Sequence, residues 1–151
     1  MIDDLYSARI LTLAANLPHA GRLPAPEGVG ERVAKLCGSR AIVDVGLDAQ
    51  GRVADFAQDV KACALGQAAA GVLGDSVIGA TVQEIQAARD DMLAMLKSSG
   101  DGPTGRFEGL RALKQVADYP ARHASTMVAI EATLDAVSQA IDTRTRLAGA
   151  A

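Results

Sequence analysis

The sequence is poor in bulky aromatic side chains. Among its 151 residues there is no tryptophan, and phenylalanine and tyrosine occur twice each, although 49% of the residues are hydrophobic. The core therefore has to be built from alanine, valine, leucine, isoleucine and methionine, which favours closely packed helices. The length suits a single domain, which we place at residues 1–142, with a flexible C-terminal tail over residues 143–151.

The sequence also has no large excess of charge of one sign and no long apolar run. Fifteen lysines and arginines are scattered among eighteen acidic residues, so the net charge is −3 and no basic stripe stands out for nucleic acid. No apolar run approaches the length of a membrane span, and the acidic start "MIDD" lacks the basic segment of a signal peptide. We therefore expect a cytoplasmic protein whose partners are neither nucleic acid nor membrane.

Cysteine is scarce as well, with only Cys37 and Cys63 in the chain. A structural disulfide is not expected in the cytoplasm, so metal or sulfur chemistry is the better functional interpretation of this pair. No nucleophile–base–acid arrangement can be recognised elsewhere. The glycine-rich "GDGPTG" lacks the lysine of a phosphate-binding loop and is interpreted as a linker.

Two strands are the clearest local prediction. Apolar residues alternate with others from Arg40 to Leu47, which indicates a strand whose odd-numbered positions are buried. A turn follows at 48–51, and Arg52 to Val60 is predicted as the returning strand, with Phe56 as its largest anchor.

Helical periodicity dominates the rest of the chain, apart from a proline- and glycine-rich loop at 17–30. The predicted helices cover residues 3–17, Cys63 to about Leu73, the segment that starts at the capping-box motif "TVQE" of residues 81–84, a short stretch of about 107–116, and Met127 to Ile141. The fold class is therefore α+β, with a small antiparallel β-sheet covered by helices.

The two cysteines bracket the predicted hairpin. Because an antiparallel hairpin returns the chain to its starting end, both thiols are expected to lie near each other. Gly38 lets the backbone turn next to Cys37, and Cys63 opens a helix whose N-terminal dipole stabilises a thiolate. The alternative for either cysteine alone is a small buried core residue.

The chain also contains two histidines, whose imidazole nitrogens can bind metal ions. His19 lies in the proline-rich loop and is interpreted as a solvated surface residue. His123 stands before or within the first turn of the last helix, and a neutral imidazole there is a suitable third donor beside two thiolates. Whether His123 reaches the thiols depends on how that helix docks, which periodicity does not determine.

Taken together, "CGS", a strand, a turn, a second strand and "ACALGQAAAG" resemble the U-type iron–sulfur cluster assembly scaffolds, which include the N-terminal domain of NifU-like proteins and the IscU-like proteins. Further segments at 6–23, 79–85 and 107–122 are similar to the family's opening helix and turn, a later helix start, and an insertion ahead of a "PAR" element. The resemblance implies a NifU/SufE-like fold.

The resemblance implies a ligand set for this chain. Cys37 and Cys63 match the family's first two ligand cysteines, and Ser39 stands where the family has an aspartate. The family's third cysteine is missing. Its position falls at Ser125 when counted from Pro120, or at Ala124 when counted from the family's His–Cys pair. The implied metal- and cluster-binding residues are then Cys37, Cys63 and His123, with Ser39 as a weak contributor.

By resemblance, the chain is expected to be a non-enzymatic assembly factor. It would take sulfur from a cysteine desulfurase and iron from a donor, hold a transient [2Fe–2S] cluster, and pass it to iron–sulfur acceptor proteins. The alternative is a zinc-binding or sulfur-acceptor protein that regulates the desulfurase without building clusters. A third interpretation is a divergent relative kept only for protein–protein contact.

Overall fold

Three antiparallel strands and four α-helices make up the chain in a computed structural model that describes residues 7–150. The elements are α1 (Ala8–Ala15), β1 (Gly28–Ala34), β2 (Ser39–Leu47), β3 (Val53–Lys61), α2 (Ala64–Ser76), α3 (Val82–Lys97), 3₁₀ segments at Gly105–Asp118 and Pro120–Arg122, and α4 (His123–Ala150). This confirms the predicted α+β class with a small antiparallel sheet. Ser7 is the N-terminal cap of α1. The predicted helix start at Asp3 lies outside the described residues.

The predicted hairpin is present as β2 and β3. Arg40 pairs with Lys61 near its open end, and Val45 pairs with Phe56 towards its turn. Gly51 adopts a φ of 81° in that turn, and the Asp48 carboxylate accepts hydrogen bonds from the backbone N–H groups around it.

Strand β1 completes the sheet in the order β1-β2-β3, and the sequence did not predict it. Its glycines lower strand propensity, and its charged centre breaks the alternation of apolar residues. The reason for the glycines is tertiary: Gly28 and Gly30 lie against α4, where an added Cβ would overlap the carbonyl oxygens of Ala136 and Ala132. Glycine facing alanine therefore lets α4 pack directly on the sheet.

Both faces of β2 are buried, whereas the sequence predicted only one. Ala41, Val43 and Val45 are fully buried on the predicted face. On the other face the Asp44 carboxylate is also fully buried, and it accepts hydrogen bonds from the Arg22 guanidinium at 2.7 and 3.0 Å and from the Leu23 N–H at 2.9 Å. The ion pair satisfies a charge that would otherwise be costly to bury, and it fixes the preceding loop on the sheet.

The segment before α4 is a 3₁₀ helix of 14 residues, far longer than the usual few residues of this structure. The sequence explains it, because the buried residues recur every three positions: Phe107, Leu110, Leu113 and Val116. Side chains at a spacing of three eclipse one another in a 3₁₀ helix and form one straight stripe, whereas the same spacing drifts around an α-helix. This stripe packs against α2 and α3.

Helix α4 extends to Ala150, past the point at which a flexible tail was predicted. Arg144, in that last part, donates hydrogen bonds to the Glu27 carboxylate and to the backbone carbonyls of Leu47 and Asp48. The end of α4 is thereby tied to the hairpin turn. Neither α4 nor any other helix within residues 7–150 is long and apolar enough to cross a bilayer.

Candidate functional site

The two cysteines lie at the open end of the hairpin, as its antiparallel geometry predicted. Cys37 is in the turn between β1 and β2, and Cys63 lies two residues after the end of β3 as the N-terminal cap of α2. Both line one open cleft of about 540 Å³. The other residues lining it are Gly38, Ser39, Val60, Lys61, Ala62, Gln67 and Arg122.

Cys37 is the exposed thiol of the pair. Gly38 has a φ of 74° and donates its N–H to the Ala34 carbonyl, so the tight turn that presents Cys37 needs a residue without a Cβ. The Cys37 Sγ lies 3.1 Å from the Oγ of Ser39, which is 3% exposed. Hydrogen bonds from the Ser39 hydroxyl and then the Ser39 backbone lower the pKa of Cys37, with a smaller contribution from the Ser125 hydroxyl.

Cys63 is half-buried and faces the first turn of α4. Its Sγ lies 3.5 Å from the Oγ of Ser125. This approach depends on Gly66, one helical turn further along α2, because a Cβ there would come within 2.7 Å of the Ser125 carbonyl oxygen. The small residues after Cys63 therefore allow α2 and α4 to approach each other next to the thiol.

Ser125 is the residue that α4 brings to the thiols. It is 1% exposed, contacts Cys63, donates its hydroxyl to the Arg122 carbonyl at 3.1 Å, and contributes to the environment of Cys37. Ala124, the other position counted for the family's third cysteine, is exposed. Counting from Pro120 to the position of the family's third cysteine therefore gives the residue that lies beside the thiols. This count was the one sequence signal that pointed to Ser125.

His123 is not brought to the thiols in this structure. Its ring is 5% exposed, and its Nε2 lies 2.9 Å from the Val116 carbonyl and 3.2 Å from the Ala117 carbonyl. Since a carbonyl only accepts, Nε2 carries the proton and holds the end of the 3₁₀ helix. The ligand role of His123 stays a prediction, without a contact to either cysteine to support it.

His19 lies away from the cleft as well. It is an exposed loop residue, as predicted, with a φ of 58° and its ring edge-on to Phe56 at a centroid distance of 6.0 Å. Its backbone carbonyl accepts the N–H of Gln58 on the outer edge of β3. His19 therefore supports the sheet edge.

The two thiols and the Ser39 hydroxyl line the cleft, and the buried Ser125 hydroxyl lies beside Cys63. Within residues 7–150 no three side chains drawn from histidine, cysteine, aspartate and glutamate converge in a way that could hold a metal ion. Lys61 and Arg122 add positive charge at the cleft. Two soft thiolates in a basic, open cleft suit iron, sulfur or zinc, but a closed structural zinc site wants four protein ligands.

Comparisons with known proteins identify the family of this chain. The family model described as "NifU-like N terminal domain" matches residues 5–138. A solved nitrogen-fixing NifU-like protein (N-terminal) from Brucella abortus is 46% identical, with a TM-score of 0.90 over 93% of this chain and 97% of that one.

A more distant structure shares the fold. It is a putative iron–sulfur cluster assembly scaffold protein for the SUF system from Fervidobacterium islandicum, 20% identical, with a TM-score of 0.79 over 88% of this chain and 96% of that one. No curated protein matches the sequence with significance.

Proposed function

Because the chain belongs to the NifU-like N-terminal domain family, the scaffolds of iron–sulfur cluster assembly, we propose that it holds a [2Fe–2S] cluster transiently and passes it to acceptor proteins. In this role Cys37 and Cys63 are the ligands, and the chain acts as a carrier and not as an enzyme. The observation that carries the proposal is that both thiols line one open cleft, with the buried Ser125 beside the Cys63 thiol.

The donor atoms at the cleft suit a cluster that is bound transiently and then released. Thiolates are the protein ligands of iron–sulfur clusters, and the hydrogen bonds with Ser39 that lower the pKa of Cys37 favour its thiolate form. Ser39 and Ser125 offer neutral hydroxyls, which bind iron far more weakly than thiolates do. Lys61 and Arg122 offset the negative charge that thiolates and sulfide bring together.

Sulfur delivery by a cysteine desulfurase is consistent with the exposure of Cys37. The Cys37 thiolate would attack the outer sulfur of a persulfide carried by that partner. A new S–S bond forms on Cys37 as the donor's S–S bond breaks, and the donor's cysteine leaves as a thiolate, so the step transfers sulfur without net oxidation. Cys63 is half-buried and is therefore less accessible to a protein that donates sulfur.

The test is anaerobic reconstitution of the full chain with ferric iron and sulfide. We expect visible absorption from a bound cluster, its loss in Cys37→Ala and in Cys63→Ala, and its transfer to an apo [2Fe–2S] ferredoxin. An exposed alanine variant at Lys97, at the far end of α3, serves as the matched control. Zinc bound stoichiometrically to the chain, with no cluster uptake under these conditions, would overturn the proposal.

A second candidate function is a sulfur acceptor that regulates the desulfurase. It is favoured by the difference between the two thiols, since Cys37 is exposed and its hydrogen bonds with Ser39 lower its pKa, whereas Cys63 is half-buried. This function needs Cys37 alone. If Cys63→Ala still accepts labelled sulfur and stimulates the desulfurase while neither the variant nor the parent takes up a cluster, the acceptor function replaces the scaffold function.

A further inference from the structure

Sulfur that is transferred to Cys37 from a persulfide has not reached the oxidation level that a cluster needs. The transfer leaves it bound to the Cys37 Sγ as the outer atom of a new persulfide, whereas the bridging atoms of a [2Fe–2S] cluster are sulfide. Each delivered sulfur atom therefore still requires two electrons. Two thiols supply two electrons when they join as a disulfide.

A second thiol lies next to the one that would carry the persulfide. Cys37 and Cys63 line the same open cleft, and they are the only cysteines of the chain. The Ser125 Oγ lies 3.5 Å from the Cys63 Sγ, and the same hydroxyl is near enough to Cys37 to contribute to the lowered pKa of that thiol. Both sulfur atoms therefore adjoin one buried hydroxyl, and a persulfide on Cys37 forms beside a thiol of its own chain.

The turn that carries Cys37 has space to move towards Cys63. Nothing lies within 4 Å of a Cβ added at Gly38, and Leu36 on the other side of Cys37 is 79% exposed. Cys63 is held in place as the N-terminal cap of α2. A disulfide requires its two Cα atoms to lie roughly 4.4–6.8 Å apart. Little packing opposes an adjustment of the Cys37 turn to that geometry.

The charge at the cleft favours the loss of the outer sulfur as hydrosulfide. Lys61 and Arg122 line the cleft, and their positive charge stabilises both the attacking thiolate and the anion that leaves. In thiol exchange, the group with the lower pKa leaves faster, and hydrogen sulfide is a stronger acid than an ordinary cysteine thiol. Attack on the inner sulfur of the persulfide therefore has a good leaving group.

We propose that Cys63 attacks the inner sulfur of a persulfide on Cys37 and thereby releases the delivered sulfur as sulfide. The bond between the Cys63 Sγ and the Cys37 Sγ forms as the bond from the Cys37 Sγ to the outer sulfur breaks. The outer sulfur leaves with that bond's electron pair and keeps the persulfide proton, as hydrosulfide. The two cysteines are oxidised by two electrons and the delivered sulfur is reduced by two, so the step needs no other reactant.

A dithiol reductant then resets the site. It reduces the disulfide between Cys37 and Cys63, is itself oxidised to a disulfide, and returns both cysteines to the thiol form in which they bind a cluster. This inference rests on the sulfur-delivery step of the proposed function. It adds a sulfur-reducing activity to two residues that otherwise serve as acceptor and ligands.

The experiment treats the full chain anaerobically with one equivalent of a low-molecular-weight persulfide, without iron or added reductant. We expect one sulfide released per chain, a chain mass lower than that of the reduced chain by two hydrogens, and a peptide that joins Cys37 to Cys63. Cys63→Ser should keep the persulfide as one added sulfur and release several-fold less sulfide. Lys97→Ala, at the exposed far end of α3, is the matched control and should behave as the parent does.

The possible outcomes separate this inference from the scaffold function. A persulfide that stays on Cys37 of the parent, sulfur found on Cys63, or a disulfide that joins two chains would overturn it. Equal sulfide release from the parent and Cys63→Ser would overturn it too, because the small thiol would then be the reductant. Reconstitution with ferric iron and sulfide bypasses sulfur delivery. Cluster uptake there without sulfide release here refutes this inference alone, and sulfide release without cluster uptake refutes the scaffold function alone.

Discussion

At the scale of single residues, the site pairs each thiol with a buried hydroxyl. Ser39 contacts Cys37, and Ser125 contacts Cys63, while both serines are almost fully buried. The Ser39 hydroxyl can stabilise the Cys37 thiolate by donating its hydrogen bond, whereas the Ser125 hydroxyl donates to the Arg122 carbonyl and lies in contact with Cys63. Neutral hydroxyls compete poorly with thiolates for iron, so coordination is left to the two cysteines.

We expect Ser39→Ala to make Cys37 less reactive at neutral pH. Because the Ser39 hydroxyl is the largest contribution to the lowered pKa of Cys37, its removal raises that pKa, and the thiolate fraction at a given pH falls. The rate of alkylation of Cys37, followed by mass spectrometry across pH, should show its midpoint moved to higher pH. Ser125→Ala, with its smaller contribution, should move it less; an unchanged midpoint in Ser39→Ala would contradict the assignment.

Ser125→Cys is expected to turn the two-thiolate site into a three-thiolate site. The Ser125 Oγ already lies 3.5 Å from the Cys63 Sγ, so a sulfur at this position is placed to share a metal with it. Loss of cluster to a chelator should become several-fold slower, measured by the decay of visible absorption. Ala124→Cys, at the exposed neighbouring position, is the control and should not slow the loss.

His123→Ala tests the ligand role predicted from the sequence against the contacts that the ring makes. Its removal deletes a buried hydrogen bond to the 3₁₀ helix and leaves a cavity, so we expect the free energy of unfolding to fall by about 1–3 kcal/mol. Chemical denaturation measures this fall. Cluster uptake per folded molecule should be unchanged; uptake lost in a variant of nearly native stability would show that His123 is a ligand.

The sequence predicted the cysteine pair but not its surroundings, for a physical reason. Cys37 and Cys63 are joined by a hairpin whose geometry is local, so their proximity follows from strand pairing alone. Ser125 and His123 are only two residues apart on another element, and which of them faces the thiols depends on the rotation of α4. That rotation is set by tertiary packing, which periodicity does not report.

At the scale of elements, close approach of α4 to the sheet positions the site. Gly28 and Gly30 remove side chains from the face of β1 that meets Ala132 and Ala136 of α4. The same strategy recurs where Gly66 of α2 meets Ser125. The two helices that carry Cys63 and Ser125 are thus held through backbone contact, where little adjustment is available.

Gly30→Ala is expected to destabilise the protein by at least about 1–3 kcal/mol, because its Cβ would overlap a backbone carbonyl of α4 that cannot move aside as a side chain can. Thermal or chemical unfolding measures the effect. Gly149→Ala is the control, since nothing lies within 4 Å of an added Cβ there and alanine favours helix. Equal stability of the two variants would contradict the role of β1 glycines in packing.

The sequence predicted the elements that are determined by patterns of a few neighbouring residues. It did not predict strand β1, which depends on tertiary packing. The hairpin and the capping box of Thr81 and Glu84 are confirmed, because turn and cap chemistry act over a few residues. Strand β1 was missed because its glycines are unfavourable in an isolated strand and make sense only against α4. Intrinsic propensity was overridden there by tertiary contact.

At the scale of the whole molecule, ion pairs tie distant parts of the chain to the sheet. Arg22 and Asp44 fix the loop before β1, while Arg144 and Glu27 connect the end of α4 to the region of the hairpin turn. The pKa of Glu27 is lowered, first by the hydrogen bonds from Arg144. For Asp44, burial alone would raise the pKa, but the Arg22 and Leu23 hydrogen bonds lower it overall.

We expect Arg144→Ala to lower the thermal midpoint at neutral pH and the difference from the parent to shrink in acid. A carboxylate whose pKa is lower in the folded state stabilises the protein above its unfolded pKa of about 4.3, and this contribution is lost as pH falls through the folded pKa. Melting curves across pH provide the measurement. Arg146→Ala, at an exposed neighbour, should show neither effect; a pH-independent difference for Arg144→Ala would contradict the Glu27 linkage.

The 3₁₀ helix over residues 105–118 imposes a rule on changes in the length of this chain. At a rise of about 2.0 Å per residue its 14 residues span roughly 28 Å, whereas an α-helix of equal length would span roughly 21 Å. Its apolar stripe repeats in units of three. An insertion of three residues preserves the alignment of that stripe, while an insertion of four, which shifts the phase of an α-helix only slightly, rotates one half of the stripe by about 120° relative to the other. Length variation here is therefore tolerated in threes.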